Sequence, residues 1–436
     1  MSIVLVGLVI AGAVAASLVA MFFPNDARLN EEWRNAAAIV IFIGSYLALA
    51  IGRVPGLSID RAGIALVGAG LMVASGALPL EAAYTAIDGN TIALLLGVMI
   101  VVANLRLSGF FPVANAWVVE RAKRPIFLLC AIATMSAFFS AFLVNDAVCL
   151  VLAPLVLELT VAIRRNPVPY LLTVAMASNV GSTATITGNP QNIMIGSFSQ
   201  IPYTNFALAL GPIALAGLVV TVVLVALMHR KEFADETPMQ MPKVSIRFNR
   251  GIVVRALLAT VIMIILFFAG VAPAKVAIVI GGLLLLTRRL KSRRIYEEID
   301  WSLLMMFAGL FIIVAGAERA LLTPDFFTAI GWLHLDNIPV LSAVAAILSN
   351  LVSNVPAVLV LKPFVGSLTD QNTAWLVMAM ASTLAGNFTI LASIANLIVV
   401  QKAAAEGVRI GFWDYFRVGA PLTVVTLMIG ILWLSI

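Results

Sequence analysis

Thirteen long apolar segments separated by short polar stretches constrain this chain more than any other feature. They run over about 2–23, 36–52, 63–78, 91–108, 126–163, 169–196, 206–228, 251–270, 275–287, 302–316, 339–368, 374–400 and 419–435. A helix rises about 1.5 Å per residue, so about twenty apolar residues cross the hydrocarbon core of a bilayer. The chain is therefore read as an all-α polytopic membrane protein. Its 436 residues are 62% hydrophobic and 11% charged, against roughly 25% charged in soluble domains, too few to cover a soluble surface. The two cysteines, Cys130 and Cys149, lie inside apolar runs, which excludes a secreted disulfide scaffold. The segment 2–23 has no basic stretch ahead of it and is read as a retained helix rather than a cleaved leader.

Two segments, 126–163 and 339–368, are too long for one crossing and carry polar residues near their middles. Read as re-entrant hairpins, they leave eleven transmembrane helices. With the N-terminus in the cytoplasm, 22 of the 27 Lys and Arg residues fall on the cytoplasmic side, as the positive-inside rule requires. The net charge of +6 thus belongs to topology, and no nucleic-acid partner is expected. Residues 229–250 form the one sizeable polar stretch, a cytoplasmic linker. The expected organisation is an extra first helix and loop (1–35), a first repeat (36–228), the linker, and a second repeat (251–436).

The halves echo each other in order. Ile87-Asp88 with Gly97 returns as Ile299-Asp300 with Gly309; Asn145 with Pro154 returns as Asn354 with Pro363. Ala177-Ser178-Asn179 through Thr185-Ile186 to Asn192 returns as Ala381-Ser382-Thr383 through Thr389-Ile390 to Asn396. The offsets are 212, 209 and 204 residues. Five crossings separate equivalent points, an odd number, so the second copy is inverted. The first hairpin then opens from the cytoplasm and the second from outside. Inverted repeats with broken helices are the build of secondary transporters.

Non-helical backbone survives at membrane depth only around a cavity or inside protein. The stretch 179–192 combines Gly181, Gly188 and Pro190 with hydroxyl and amide side chains, and predicts helix, unwound link, helix. The stretch 382–396 is its counterpart with fewer breakers. Helix ends there expose N–H groups and carbonyls, and Asn, Ser and Thr both donate and accept. The candidate substrate-binding residues are Asn145, Asn179, Ser182, Thr183, Thr185, Gly188, Asn189, Ser353, Asn354, Ser382, Thr383, Gly386, Asn387 and Thr389. Small and hydroxyl residues also pack membrane helices against one another; position at the hairpin tips is what singles out Asn145 and Asn354. Asp146 is the one acid placed near mid-membrane, where a carboxylate is expensive, and it is the candidate proton-coupling residue. Asp88 and Asp300 open their helices at the membrane edge and read as N-caps. Lys362 reads as snorkelling to the outer interface. There is no phosphate loop, no paired His and only two His in all, His229 and His334. No enzyme, cofactor or metal is expected, apart from a coupling ion, H+ or Na+.

At these residues the chain resembles the ion-transporter superfamily of arsenite permeases, sodium/proton antiporters and sodium-coupled dicarboxylate carriers. The stretch from Asp88 to Gly109, the Asn145-Asp146 tip with Pro154, the 178–192 break and the Ser353-Asn354 tip carry the resemblance. Asn-Asp at the first tip is closer to arsenite permeases than to the dicarboxylate carriers; the 187–192 run is closer to anion carriers. The resemblance implies scaffold and transport subdomains working as an elevator, and proton-coupled export of arsenite or antimonite across the inner membrane. The alternatives it implies are a sodium- or proton-coupled carrier of a carboxylate or inorganic anion, and a sodium/proton antiporter. It leaves room for an ATPase partner subunit and a homodimer.

Overall fold

The computed structural model describes residues 27–51, 58–121, 124–234, 248–286, 290–321 and 333–436. The helix expected over 2–23 lies outside the described residues, as do Arg53, Lys123, Lys243, Arg247, Arg288 and Arg289 of the charge count. The first half holds α1 (Ala27–Ile51), α2 (Arg61–Ala74), α3 (Leu80–Ala86), α4 (Gly89–Ser108), α5 (Phe110–Arg121), α6 (Pro125–Leu143), α7 (Asn145–Ala162), α8 (Pro167–Ser182), α9 (Pro190–Ser199), α10 (Tyr203–Met228) and α11 (Arg230–Phe233). The second half holds α12 (Arg250–Phe268), α13 (Pro273–Leu285), α14 (Ser292–Glu297), α15 (Trp301–Leu321), α16 (Ile338–Val352), α17 (Asn354–Val365), α18 (Gln371–Ala385), α19 (Ile394–Ala405) and α20 (Phe412–Leu434). Among the described residues, eight helices are long and apolar enough to cross a bilayer. Both long segments are hairpins of two arms, and both polar stretches are broken helices joined by a 3-10 turn, Ile186–Gly188 and Ile390–Ala392. The weaker breaker set of the second stretch sufficed. Helix α5 had no sequence signal, because its run falls short of spanning length.

The halves use the same local devices. Side-chain caps start equivalent helices: Asp88 accepts from the Thr91 N–H at 2.8 Å, and Asp300 from the Leu303 N–H at 2.9 Å. Asn166 accepts from Val168, and Asp370 from Thr373. Each cap satisfies a backbone donor that the helix cannot.

Packing repeats too. Helix α4 lies on α13, and α15 lies on α2. The close approach is set by glycine in both. A Cβ at Gly97 would stand 2.3 Å from the Ala277 carbonyl carbon, and one at Gly309 would stand 2.7 Å from that of Ala65. Without a hydrophobic drive between helices in lipid, this backbone contact is what holds them. Helices α1, α2, α4, α12, α13 and α15 pack on one another; the hairpins, the broken helices, α10 and α20 form the other packing group.

Contacts at the helix ends orient the hairpins. Arg106, at the end of α4, pairs with Glu298, just before α15. Ser197 beyond the first break bonds Asp88 at the start of α4, so α10 begins on the Asp88 face and ends on the Arg106 face. There Glu232 meets Tyr170 and Arg165, at the open end of the first hairpin. At the far end of α15, Glu318 pairs with Lys362 at 3.2 Å, at the open end of the second hairpin. The hairpins therefore open to opposite faces.

Candidate functional site

The two interruptions meet at the centre of the molecule through a network of amides and hydroxyls. Asn145, the first residue of α7, donates to the Asn179 side-chain oxygen at 2.9 Å. Asn179 donates to the side-chain oxygens of Asn387 at 2.9 Å and Asn396 at 3.0 Å, and Ser393 donates to Asn179 at 3.2 Å. From the other side, Asn189 donates to Thr383 at 3.0 Å and to Ser182 at 3.1 Å, and Gln191 donates to Thr383 at 3.1 Å. Asn179 of one half thus touches the break of the other, and Thr383, its counterpart 204 residues on, does the same in reverse.

One residue holds each break open. Asn192 donates to the carbonyls of Ser182 at 3.1 Å and Thr185 at 3.0 Å. Asn396 donates to the carbonyls of Gly386 at 2.7 Å and Thr389 at 3.0 Å, the same positions shifted by 204. A buried carbonyl freed from its helix has to find a donor, and a side-chain amide at a fixed offset supplies one. The hairpin tips repeat as well: Val144 and Ser353 have φ of 62° and 80°. A β-branched residue such as Val144 is strained there, which the tip geometry imposes.

The network therefore brings together Asn145, Asn179, Ser182, Asn189, Thr383 and Asn387. Other candidates face elsewhere. Thr183 and Ser382 bond carbonyls of their own helices. Thr185 bonds the Ala141 carbonyl, and neighbouring Thr187 reaches Tyr203. Gly188 sits on the Ser182 carbonyl, where a Cβ would lie 2.0 Å away. Thr389 contributes its carbonyl, Gly386 lies beside the Asn354 amide, and Ser353 forms the tip. Four network members were not among the candidates: Gln191, Asn192, Ser393 and Asn396. All four lie in the stretches 179–192 and 382–396 that the sequence singles out, and Asn192 and Asn396 are also the last matched pair of the third echo.

Asp146 is turned away from this network. It lines a pocket of about 110 Å³ with Val144, Arg106, Glu298, Asp300 and Ile398, and the backbone N–H of Ala395, in the first turn of α19, faces its carboxylate. Asp300 is the cap the sequence implied and also a wall of this pocket. Lys362 does not merely snorkel; besides pairing with Glu318 it lies 5.0 Å from the Phe198 ring centroid. Among the described residues no cluster of His, Cys, Asp and Glu fits a metal ion.

Inverted broken helices meeting at a buried polar centre define a secondary transporter. A family model described as citrate transporter, CitMHS, matches residues 39–385, and the chain belongs to that family. It is 30% identical to a 46 kDa membrane protein of Mycobacterium leprae, covering 92% of this chain and 98% of that one. It is 27% identical to a silicon efflux transporter of rice, over 90% of this chain and 96% of that protein. A Dictyostelium discoideum protein carrying the name transporter arsB is 23% identical over 93% of both chains. In fold the chain is similar to the YdaH transporter of Alcanivorax borkumensis, with a TM-score of 0.58 and 14% identity over 92% of this chain and 97% of that one.

Proposed function

We propose that this chain is a proton-coupled exporter of a small, neutral, hydroxylated solute, with arsenite and antimonite hydroxides as the first substrates to try. One observation carries the reading: every side chain of the network that joins the two breaks is an uncharged amide or hydroxyl. Such groups match a trihydroxide, which donates and accepts at each oxygen. A polyanion is a poor fit. The adjacent pocket carries Asp146, Glu298 and Asp300 against Arg106, which Glu298 already engages. The silicon efflux transporter among the relatives supports the same chemistry; the description of the family as citrate transporters favours a sodium- or proton-coupled carboxylate carrier, the second reading.

In this proposal Asp146 carries the coupling proton, because it is the acid at a tip that the amide network also touches through Asn145. The packing group containing both hairpins moves against the group built on α4 and α15, as an elevator, in the inner membrane with the N-terminus in the cytoplasm. The test is uptake into proteoliposomes holding the full chain under imposed proton or sodium gradients, with arsenite and citrate as rival solutes. Arsenite movement driven by the proton gradient is expected. Citrate movement driven by sodium, or single-channel currents, would replace the reading.

A further inference from the structure

We infer that Ser349 and Asn350, in the last turn of α16, belong to the solute site and accept hydrogen bonds from the solute's hydroxyl groups. The inference rests on the proposed function and adds residues to its site.

Equivalent places in the two halves differ here. In the first half the hairpin tip is closed on its own neighbours. Ser140 bonds Ser178 at 2.7 Å, Ser178 reaches the Asn145 carbonyl at 3.3 Å, and the Asn145 amide bonds Asn179. The counterparts at an offset of 209 are Ser349 and Asn354, and both have lost their partners. The Ser349 hydroxyl and the Asn354 side-chain oxygen are buried with no hydrogen-bond partner, and so is the side-chain oxygen of Asn350. Ser349 is 1% exposed.

For Asn354 the cause is a substitution between the halves: Thr383 stands where Asn179 would, and it is engaged by Asn189 and Gln191, so the amide that would serve Asn354 is missing. Gly386, beside Asn354, offers it no side chain. For Ser349 the counterpart of Ser178 is Ser382, whose hydroxyl bonds the Ala379 carbonyl of its own helix instead. The orientation of Asn350 is fixed: its amide nitrogen donates to the Ala346 and Ala385 carbonyls at 3.0 and 3.2 Å. A flip would set oxygen against oxygen, so the unpaired oxygen is the true acceptor. Buried acceptors of this kind are paired in stable proteins as a rule. Here they cluster at one tip of the site, and a solute bearing several hydroxyls is the partner their chemistry selects. The sequence marks the place with Ser349-Asn350 and Ser353-Asn354, the same dipeptide four residues apart.

The experiment measures KM and kcat for proton-driven transport of arsenite and of methylarsenite, which has one hydroxyl fewer, in proteoliposomes. Wild type is compared with Asn350→Leu, Asn350→Gln and Ser349→Ala, each first shown to be monodisperse with an unchanged Tm. Asn350→Leu is expected to raise the arsenite KM about tenfold, the equivalent of one hydrogen bond, with kcat nearly unchanged. The ratio of arsenite to methylarsenite KM should rise toward one in the same variant. Asn350→Gln, which keeps both an amide donor and an acceptor, should retain most of the affinity, giving the inference a readout if the leucine variant fails to fold. Unchanged KM values in folded variants would overturn the inference and leave the transport reading standing. So would a shifted sodium dependence with arsenite KM unmoved. If wild type moves neither arsenical, the transport reading fails first, and this assignment with it.

Discussion

Asp146 in the first half has Val355 as its counterpart in the second, and Arg106 has Glu318, although the packing around these positions repeats. The skeleton is symmetric: Gly97 on Ala277 mirrors Gly309 on Ala65, and Asn192 mirrors Asn396. The charges are not. Glu318 takes Lys362 across the boundary between the two packing groups, while Arg106 takes Glu298 within one of them. A carrier that exposes one site to both faces needs equivalent hinges in both halves, whereas carrying a proton needs a titratable group in only one. The backbone devices and the buried charges are thus set by separate residues, and substitutions at matched pairs can separate them.

The largest effect is expected at the unmatched acid. Asp146→Asn should cut proton-driven transport by at least about a hundredfold, the scale on which a proton-transfer group contributes, while Val355→Asn stays within severalfold. Equal losses in the uptake assay would break the asymmetry. The matched amides come next. Asn192→Leu and Asn396→Leu each remove two side-chain hydrogen bonds to buried carbonyls, of which those of Thr185 and Thr389 keep a backbone donor and that of Ser182 keeps Asn189, at a cost of about 1–3 kcal/mol. Thermal unfolding in detergent should show similar losses for the two; a loss in only one would mean that only one break is held this way. Third, Gly97→Ala and Gly309→Ala overpack the α4–α13 and α15–α2 crossings by about 1–3 kcal/mol. Gly97→Ala should be the worse, because its Cβ would meet backbone at 2.3 Å rather than 2.7 Å.

The smallest effect concerns the caps. Asn166 and Asp370 start equivalent helices, but only Asp370 titrates. The hydroxyl and N–H of Thr373 hold its carboxyl below the usual aspartate range. A depressed value means the stabilisation is present above the ordinary aspartate pKa and is lost as pH falls through the lower, folded-state value. Asp370 is exposed, so the change is small. Asp370→Asn should flatten the acid limb of the stability profile, and Asn166→Ser should leave its shape unaltered; the Tm from pH 7 down to pH 3 is the check.

The apolar segments, the hairpins, the inversion and the breaks were legible in the chain alone. Apolar run length, the side on which Lys and Arg collect, and matched motifs at offsets of 212, 209 and 204 are one-dimensional signals. The sequence also placed Asn145, Asn179, Asn189 and Thr383, because polar residues beside Gly and Pro at membrane depth need partners. Who those partners are depends on the packing of the folded chain. The bonds from Asn179 to Asn387 and Asn396 cross more than two hundred residues, and no local pattern fixes such a pairing. That Asp146 faces Arg106, Glu298 and Asp300 rather than the amides depends on where α4 and α15 pass the first tip. Composition and spacing fix which groups must be satisfied in a bilayer; which group satisfies which is decided by how helices far apart in the chain pack.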